Sequence, residues 1–108
     1  MDEGSPTGDE LVALLAALAN PHRMRVVAAL AGGRNYVSQL ARDLGISRAL
    51  LQVHLKKLEA SGLVTSALEV SEDGKAMNYY EVVPFAVHLT PEVVERASAT
   101  LTSAKGPR

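Results

Sequence analysis

The sequence contains no cysteine and no tryptophan, and aromatic residues make up only 4% of its 108 residues. The absence of cysteine excludes disulfides, thiolate metal ligands and a cysteine nucleophile. Because aromatic residues are so few, the core has to consist mainly of Leu, Val and Ala. The hydrophobic fraction of 47% is sufficient for the core of one small domain.

The sequence also lacks a hydrophobic run approaching the roughly 20 residues that a membrane-spanning helix needs. Its start, MDEGSPTGDE, is acidic and polar, unlike a secretory signal peptide. We therefore expect a cytoplasmic protein without a membrane partner. Composition predicts a disordered tail over residues 1–8, one folded domain over residues 9–104 and a frayed tail over residues 105–108. No catalytic motif is present, and Gly32-Gly33 lacks the spacing of a phosphate-binding loop, so we expect no enzyme.

Charge is distributed unevenly along a chain whose net charge is −1. Residues 1–19 contain four acidic and no basic residues, whereas residues 20–57 contain seven basic residues and one acidic residue. Salt screens charges beyond about 8–10 Å, so attraction to phosphates depends on the local patch and not on the net charge. The central segment therefore favours nucleic-acid binding over ordinary solvated charge.

Apolar spacing and helix caps predict a mainly α fold with a small β wing, in the order α-α-(β)-α-α-β-β-α. Asn20-Pro21 starts the second helix, because Asn is a favourable cap and Pro suits the first helical position. Residues 35–37 form a short strand, and Ser38 caps the third helix. The residues of the second helix that we expect to face inward are Met24, Val27 and Leu30.

The fourth helix starts at the cap residue Ser47 and ends at Ser61-Gly62. Two strands follow over residues 63–70 and 76–83, with Asp73-Gly74 between them as a hairpin signal. Thr90-Pro91 starts the last helix, with Val93 or Val94 facing inward. The fourth helix has a core face formed by Leu51, Leu55 and Leu58, and the last helix adds Ala97 and Leu101.

Residues 40–64, LARDLGISRALLQVHLKKLEASGLV, are typical of a helix-turn-helix. Gly45 supplies the tight turn between two short amphipathic helices. The second helix of such a motif fits a DNA major groove, and here its non-core positions carry Arg48, Gln52, Lys56 and Lys57.

A helix-turn-helix followed at once by a hairpin is a winged helix, and the chain resembles the ArsR/SmtB family of small bacterial winged-helix transcription repressors. The matching segments are LANPHRMRVVAAL, SQLARDLGIS, HLKKLEASGLV and DGKAMNYYEV. The resemblance covers residues 10–83. It implies a homodimer joined through the first and last helices, with each fourth helix in a major groove of an inverted-repeat operator. Apolar faces on those two helices also favour a dimer.

Many members of the family release DNA when they bind a metal ion, whereas others respond to other signals or have no known effector. Family members that sense soft metals carry a Cys-x-Cys pair where this chain has Tyr36 and Ser38. Others carry Asp and His ligands on the last helix, where this chain has only Glu92 and Glu95. The wing loop, often basic in the family, is acidic here except for Lys75. The effector is therefore unknown.

The residues of the predicted DNA interface divide into base-reading residues and phosphate-contacting residues. The amide of Gln52 suits adenine, and Arg48 suits guanine or phosphate. Ala49 and Val53 suit a thymine methyl, although packing against other helices explains them equally well. Ser47 is a helix cap and a phosphate contact. The remaining residues, which we expect to neutralise phosphates, are Arg42, Lys56, Lys57 and Lys75.

Three alternatives stay open from the sequence. His22, His54 and His88 are candidates for a nickel or zinc site if the fold brings them together, with His22 expected to face solvent and His54 to pack or hydrogen-bond. The near-zero net charge and acidic wing also suit a winged helix that binds another protein. A further alternative keeps DNA binding, in an effector-independent activator or in a subunit whose sensor is a separate protein.

Overall fold

The computed structural model describes residues 5–102, and this part of the chain has the predicted element order. The mainly α winged helix-turn-helix fold is confirmed, with α3 and α4 as the motif and β2–β3 as the wing. None of the described helices is long and apolar enough to span a bilayer. The helices are α1 (Gly8–Leu18), α2 (Pro21–Ala31), α3 (Val37–Leu44), α4 (Arg48–Ala60) and α5 (Pro91–Ser98), and the strands are β1 (Asn35–Tyr36), β2 (Val64–Val70) and β3 (Ala76–Val82).

Side chains cap the starts of four helices. Asn20 Oδ1 accepts hydrogen bonds from the N–H groups of His22 and Arg23, at 2.8 and 3.2 Å. Ser47 Oγ accepts from Leu50 N–H at 3.0 Å. Such a cap contributes about 1 kcal/mol to stability. The caps expected at Asn20 and Ser47 are confirmed, and Thr7 and Thr90 cap α1 and α5 in the same way.

The start of α3 differs from the sequence prediction, because the cap expected at Ser38 is wrong. Tyr36 is the residue before the helix, and its side chain makes no capping hydrogen bond. Asn35 and Tyr36 pair with β3, which keeps the chain extended up to that point. Val37, only 4% exposed, then starts the helix and enters the core.

The buried face of α2 is rotated from the predicted one. Met24 is 59% exposed, so its expected inward position is wrong. Leu30 is buried as expected, and Val27 is partly buried. The fully buried partner of Leu30 is Val26, four residues earlier and therefore on the same helix face. Met24 lies about 200° around the helix from Val26 and cannot share that face.

The core centres on α4. Leu51, Leu55 and Leu58 are completely buried, as predicted. The sheet has the order β1-β3-β2, and all neighbouring strands are antiparallel. Val64 of β2 and Tyr80 of β3 are buried in the same core as the α4 leucines. The register of the sheet pairs Val64 with Val82 at the base of the wing. The wing is therefore joined to the buried side of α4.

The two terminal helices meet at Gly8, which is buried and is the first residue of α1. Its N–H donates to Thr100 Oγ1 at 2.7 Å, and a Cβ at this position would lie 2.3 Å from the carbonyl oxygen of Ala97. α5 ends at Ser98, although Leu101 beyond it is still partly buried. Residues 1–4 and 105–108 of the predicted tails lie outside the described residues, whereas Thr7 and Gly8, which the sequence assigned to the N-terminal tail, cap and start α1.

Substitution of Gly8 by Ala should therefore destabilise the protein by about 1–3 kcal/mol, the range typical of an overpacked site. Gly32→Ala is the matched control, because a Cβ there would meet only the Ala29 carbonyl oxygen at 3.6 Å. We expect the control to be neutral or slightly stabilising. Thermal and urea unfolding of both variants measure this, and equal stability of the two would contradict the close contact between α1 and α5.

Candidate nucleic-acid interface

A short turn sets the angle between α3 and α4. Gly45 has φ +69° and ψ 32°, the left-handed conformation expected from the sequence. Ile46 N–H donates to the Ala41 carbonyl at 3.2 Å, which closes the end of α3. Ser47 then starts α4 immediately, so only three residues separate the two helices. Such a tight connection holds α4 in a fixed orientation against α3.

The outer face of α4 carries the residues expected to contact DNA. Gln52 is half-buried, and Val53 is 54% exposed. Ala49 and Val53 are exposed and do not pack into the protein, so packing against other helices does not explain why these positions are apolar. The other predicted interface residues of this segment are all exposed: Ser47, Arg48, Ala49, Lys56 and Lys57.

The cations on α4 are available for an external ligand. Within residues 5–102, the one ion pair shorter than 4 Å joins Arg34 to Glu69, and none involves Arg48, Lys56 or Lys57. Arg42, at the end of α3, donates only to Gln39 Oε1 at 2.7 Å and is also exposed. The outer surface of the motif therefore carries cations without an ion pair among the described residues, although the net charge of the chain is −1. Arg48 lies on the side of α4 that faces the wing, whereas Lys57, nine residues later and about 180° around the helix, lies beside α1 and Arg23.

A cleft of about 230 Å³ separates α4 from the wing. Arg48 and Gln52 line its α4 side, while Leu68 and Asn78 line its wing side. Sequence reasoning missed Asn78, because an asparagine within a strand carries no signal until the strand is placed opposite a recognition helix. The cleft brings polar groups from two elements to one place beside the exposed face of α4.

The wing turn holds one of its two acidic side chains in place. Asp73 accepts a hydrogen bond from the Ser71 hydroxyl, which lowers the pKa of the Asp73 carboxyl. This carboxylate is therefore held within the turn. Lys75 is exposed at the end of the turn, in a position to reach a ligand, while Glu72 remains an exposed acid beside it.

The histidines form a pair and not a triad. The rings of His22 and His54 lie 5.2 Å apart, and His88 is exposed in the segment between β3 and α5. His54 is only 6% exposed, in line with its expected packing role. His22 was expected to face solvent but is half-buried. Arg23 Nη1 lies 3.3 Å from Nδ1 of His54.

The contact with Arg23 determines which ring nitrogen of His54 carries the proton. Since arginine only donates, Nδ1 accepts and the proton resides on Nε2, which has no partner among the described residues. The other guanidinium nitrogens donate to the carbonyls of Ala17 and Ala16 at the end of α1. Burial, followed by the charge of Arg23, lowers the pKa of His54 below its ordinary value. His54 is thus neutral at pH 7.

This arrangement does not fit a metal ion. The described residues contain no group of three His, Asp or Glu side chains placed to hold one. One nitrogen of His54 is already used by Arg23, and Lys57 adds a further positive charge near the ring. Nickel or zinc as an effector therefore stays a prediction from the sequence, without support from this geometry.

Comparison with known proteins gives the family. The model of the bacterial regulatory protein arsR family matches residues 20–66. MJ0229 of Methanocaldococcus jannaschii, an uncharacterized HTH-type transcriptional regulator, is 31% identical over 87 residues, 81% of this chain and 90% of that protein.

Solved structures agree with this result. HlyU from Vibrio cholerae superposes with a TM-score of 0.62 at 25% identity, covering 84% of this chain and 87% of that chain. The homodimeric winged helix-turn-helix DNA-binding domain of Mb0332 from Mycobacterium bovis gives a TM-score of 0.61 at 27% identity, covering 68% and 64%. The chain belongs to the ArsR family of transcriptional regulators and is a DNA-binding winged helix-turn-helix protein.

The neutral state of His54 predicts how stability depends on pH. Its pKa in the folded state lies below the value of about 6.5 in the unfolded state, so the unfolded chain binds the proton first. This contribution to stability is complete above pH 6.5 and is lost as the pH falls through the folded-state pKa. The melting temperature should therefore decrease below pH 6.5, and His54→Gln should remove part of that decrease.

The exposed His88 provides the matched control, because His88→Gln leaves the buried ring and Arg23 unchanged. Its melting temperature should follow the pH profile of the wild type. If His54→Gln and His88→Gln change the profile equally, burial of the His54 ring is not the cause.

Proposed function

We propose that this protein is a homodimeric, sequence-specific DNA-binding regulator that inserts α4 of each protomer into successive major grooves of an inverted-repeat operator. The observation that carries the proposal is the division of α4 into two faces. One face buries Leu51, Leu55 and Leu58, and the opposite face exposes cations that form no ion pair within the described residues.

Base reading is assigned to Gln52 and Arg48 in this proposal. Both line the cleft beside the wing, and their amide and guanidinium groups suit adenine and guanine edges respectively. Ala49 and Val53 are exposed on the same helix and supply apolar contact for a thymine methyl. Phosphate contacts come from Ser47, Arg42, Lys56, Lys57 and Lys75.

The dimer would form through α1 and α5. Val12, Leu15 and Val94 are 56%, 42% and 47% exposed, although all three are apolar. Together with Leu101 they line an apolar hollow of about 140 Å³ between the two helices. A second copy of the same face would remove this surface from water. The homodimeric state of the related Mb0332 domain supports a homodimer here.

Gln52→Ala and Lys56→Ala separate base reading from phosphate binding. The DNA is a duplex of about 30 base pairs that the wild-type protein selects from a random-sequence pool, compared with a random duplex. Gln52→Ala should reduce the preference for the selected duplex by about 1–3 kcal/mol for each base that the amide reads. Lys56→Ala should weaken binding to both duplexes and lower the salt slope by about two, because each of two protomers then neutralises one phosphate fewer.

Fluorescence anisotropy at several salt concentrations measures both quantities. Equal losses of affinity on both duplexes for both variants would contradict the division of roles. A wild-type protein whose binding shows no salt slope would contradict DNA binding itself and favour a module that binds another protein.

Leu15→Glu tests the dimer interface. A charge in the apolar face should convert the dimer to a monomer, because its burial without a partner is unfavourable. Leu68→Glu is the control, since Leu68 is 70% exposed but lies on the wing. Sedimentation at micromolar concentration should show a dimer for the wild type and for Leu68→Glu. A monomeric wild type would overturn the proposed interface.

A further inference from the structure

The one ion pair within residues 5–102 joins two distant parts of the chain. Arg34 lies in the loop between α2 and β1, and its two Nη atoms donate to both carboxylate oxygens of Glu69 at 2.5 and 3.1 Å. The guanidinium carbon also lies 4.1 Å from the centroid of the Tyr79 ring. Tyr36 meets the edge of that ring, with centroids 5.7 Å apart. Arg34 therefore reaches across β3 to hold a residue of β2.

The position of Glu69 gives this contact its importance. The sheet is three-stranded only where Asn35 and Tyr36 pair with β3. Beyond that base the wing is a two-stranded hairpin, and Glu69 pairs with Met77, one step from the last pair of the register. A two-stranded hairpin is marginally stable by itself. No other side-chain hydrogen bond in the described part of the chain joins residues 67–78 to a helix or to β1.

The contact lies on the side of the sheet away from the recognition helix. Side chains alternate between the two faces of a strand. Leu68 and Asn78 are register partners and line the cleft beside α4, so Glu69 and Tyr79 project from the opposite face. Arg34 stacks on that opposite face. Although it belongs to the basic central segment, its charge is matched by a carboxylate and is directed away from the α4 cations.

Arginine is required for this geometry. Its planar guanidinium binds a carboxylate through two parallel hydrogen bonds while it stacks on an aromatic ring, which a lysine ammonium does not reproduce. Both side chains of the pair are about 45% exposed, so the pair adds little to the overall stability of the fold. The pair instead limits the local motion of the hairpin.

We propose that Arg34 is a positioning residue for DNA binding, which fixes the wing relative to α4 through Glu69 and Tyr79 without touching DNA itself. The inference rests on the proposed function, since it requires that α4 and the wing engage one DNA duplex together. With the wing fixed, Lys75 and Asn78 keep a constant distance from α4. Without this ion pair, the wing keeps its contact with α4 only near its base, where Ser66 Oγ donates to Glu59 Oε2 at 3.0 Å, and the outer part of the hairpin gains freedom to twist.

Three variants test the proposal: Arg34→Gln, Glu69→Gln and the exchange R34E/E69R. On the selected duplex, each single variant should bind about fivefold more weakly, the effect expected from an interaction of this class. The salt slope should stay at the wild-type value, because the number of neutralised phosphates does not change. The exchange should recover most of the affinity. Arg25→Gln, an exposed arginine on α2 with the same change in charge, measures the effect of charge alone.

Hydrogen exchange of the wing amides provides a readout without DNA. Both single variants should speed exchange over residues 67–78 and leave α4 unchanged, and the R34E/E69R variant should restore protection. Unchanged protection in Arg34→Gln would overturn the proposal.

A direct contact between Arg34 and a DNA phosphate would give different binding results for the same variants. If Arg34 binds a phosphate, Arg34→Gln lowers the salt slope by about two per dimer, Glu69→Gln tightens binding, and R34E/E69R fails to recover affinity. That pattern would overturn this inference and leave the proposed function intact. A wild-type protein that binds neither the selected nor the random duplex would overturn both.

Discussion

The burial of Leu51, Leu55 and Leu58 is the constraint on which the rest of this structure depends. These side chains are removed completely from solvent, which fixes the rotation of α4 about its own axis. Once that rotation is set, Lys56 and Lys57 have to face outward, and the wing that follows α4 has to start beside the core. The proposed DNA-binding face is thus a consequence of core packing.

Much of this arrangement was predictable because it depends on contacts between residues close in sequence. The leucine spacing of α4, the cap at Ser47 and the left-handed Gly45 are local signals, and each has a direct physical cause. The same holds for the hairpin signal at Asp73-Gly74. Local signals also sufficed for the exposed face of α4, because it is the complement of the leucine row.

The errors of prediction arise where contacts between distant residues override local preference. Ser38 is a good cap by type, yet pairing of β1 with β3 decides where α3 starts. Met24 fits an apolar spacing, but packing selects Val26. Arg34 and Glu69 are 35 residues apart, so no sequence window contains their contact. The sequence shows that the central segment is basic, but it does not show which of its charged side chains pair with other groups of the folded protein.

Two arginines of the basic segment form contacts within the protein: Arg23 donates to carbonyls at the end of α1, and Arg34 pairs with Glu69 of the wing. The remaining cations of one chain can form only a few phosphate contacts. Because the logarithm of the affinity rises with the number of phosphates neutralised, a second protomer on the same duplex has a large effect. In the proposed dimer, the apolar face of α1 and α5 and the exposed cations of α4 are therefore linked in free energy: any ligand that shifts the monomer–dimer equilibrium also shifts DNA occupancy. In that proposed arrangement, a ligand that acts on the dimer interface needs no site near α4 to change DNA binding.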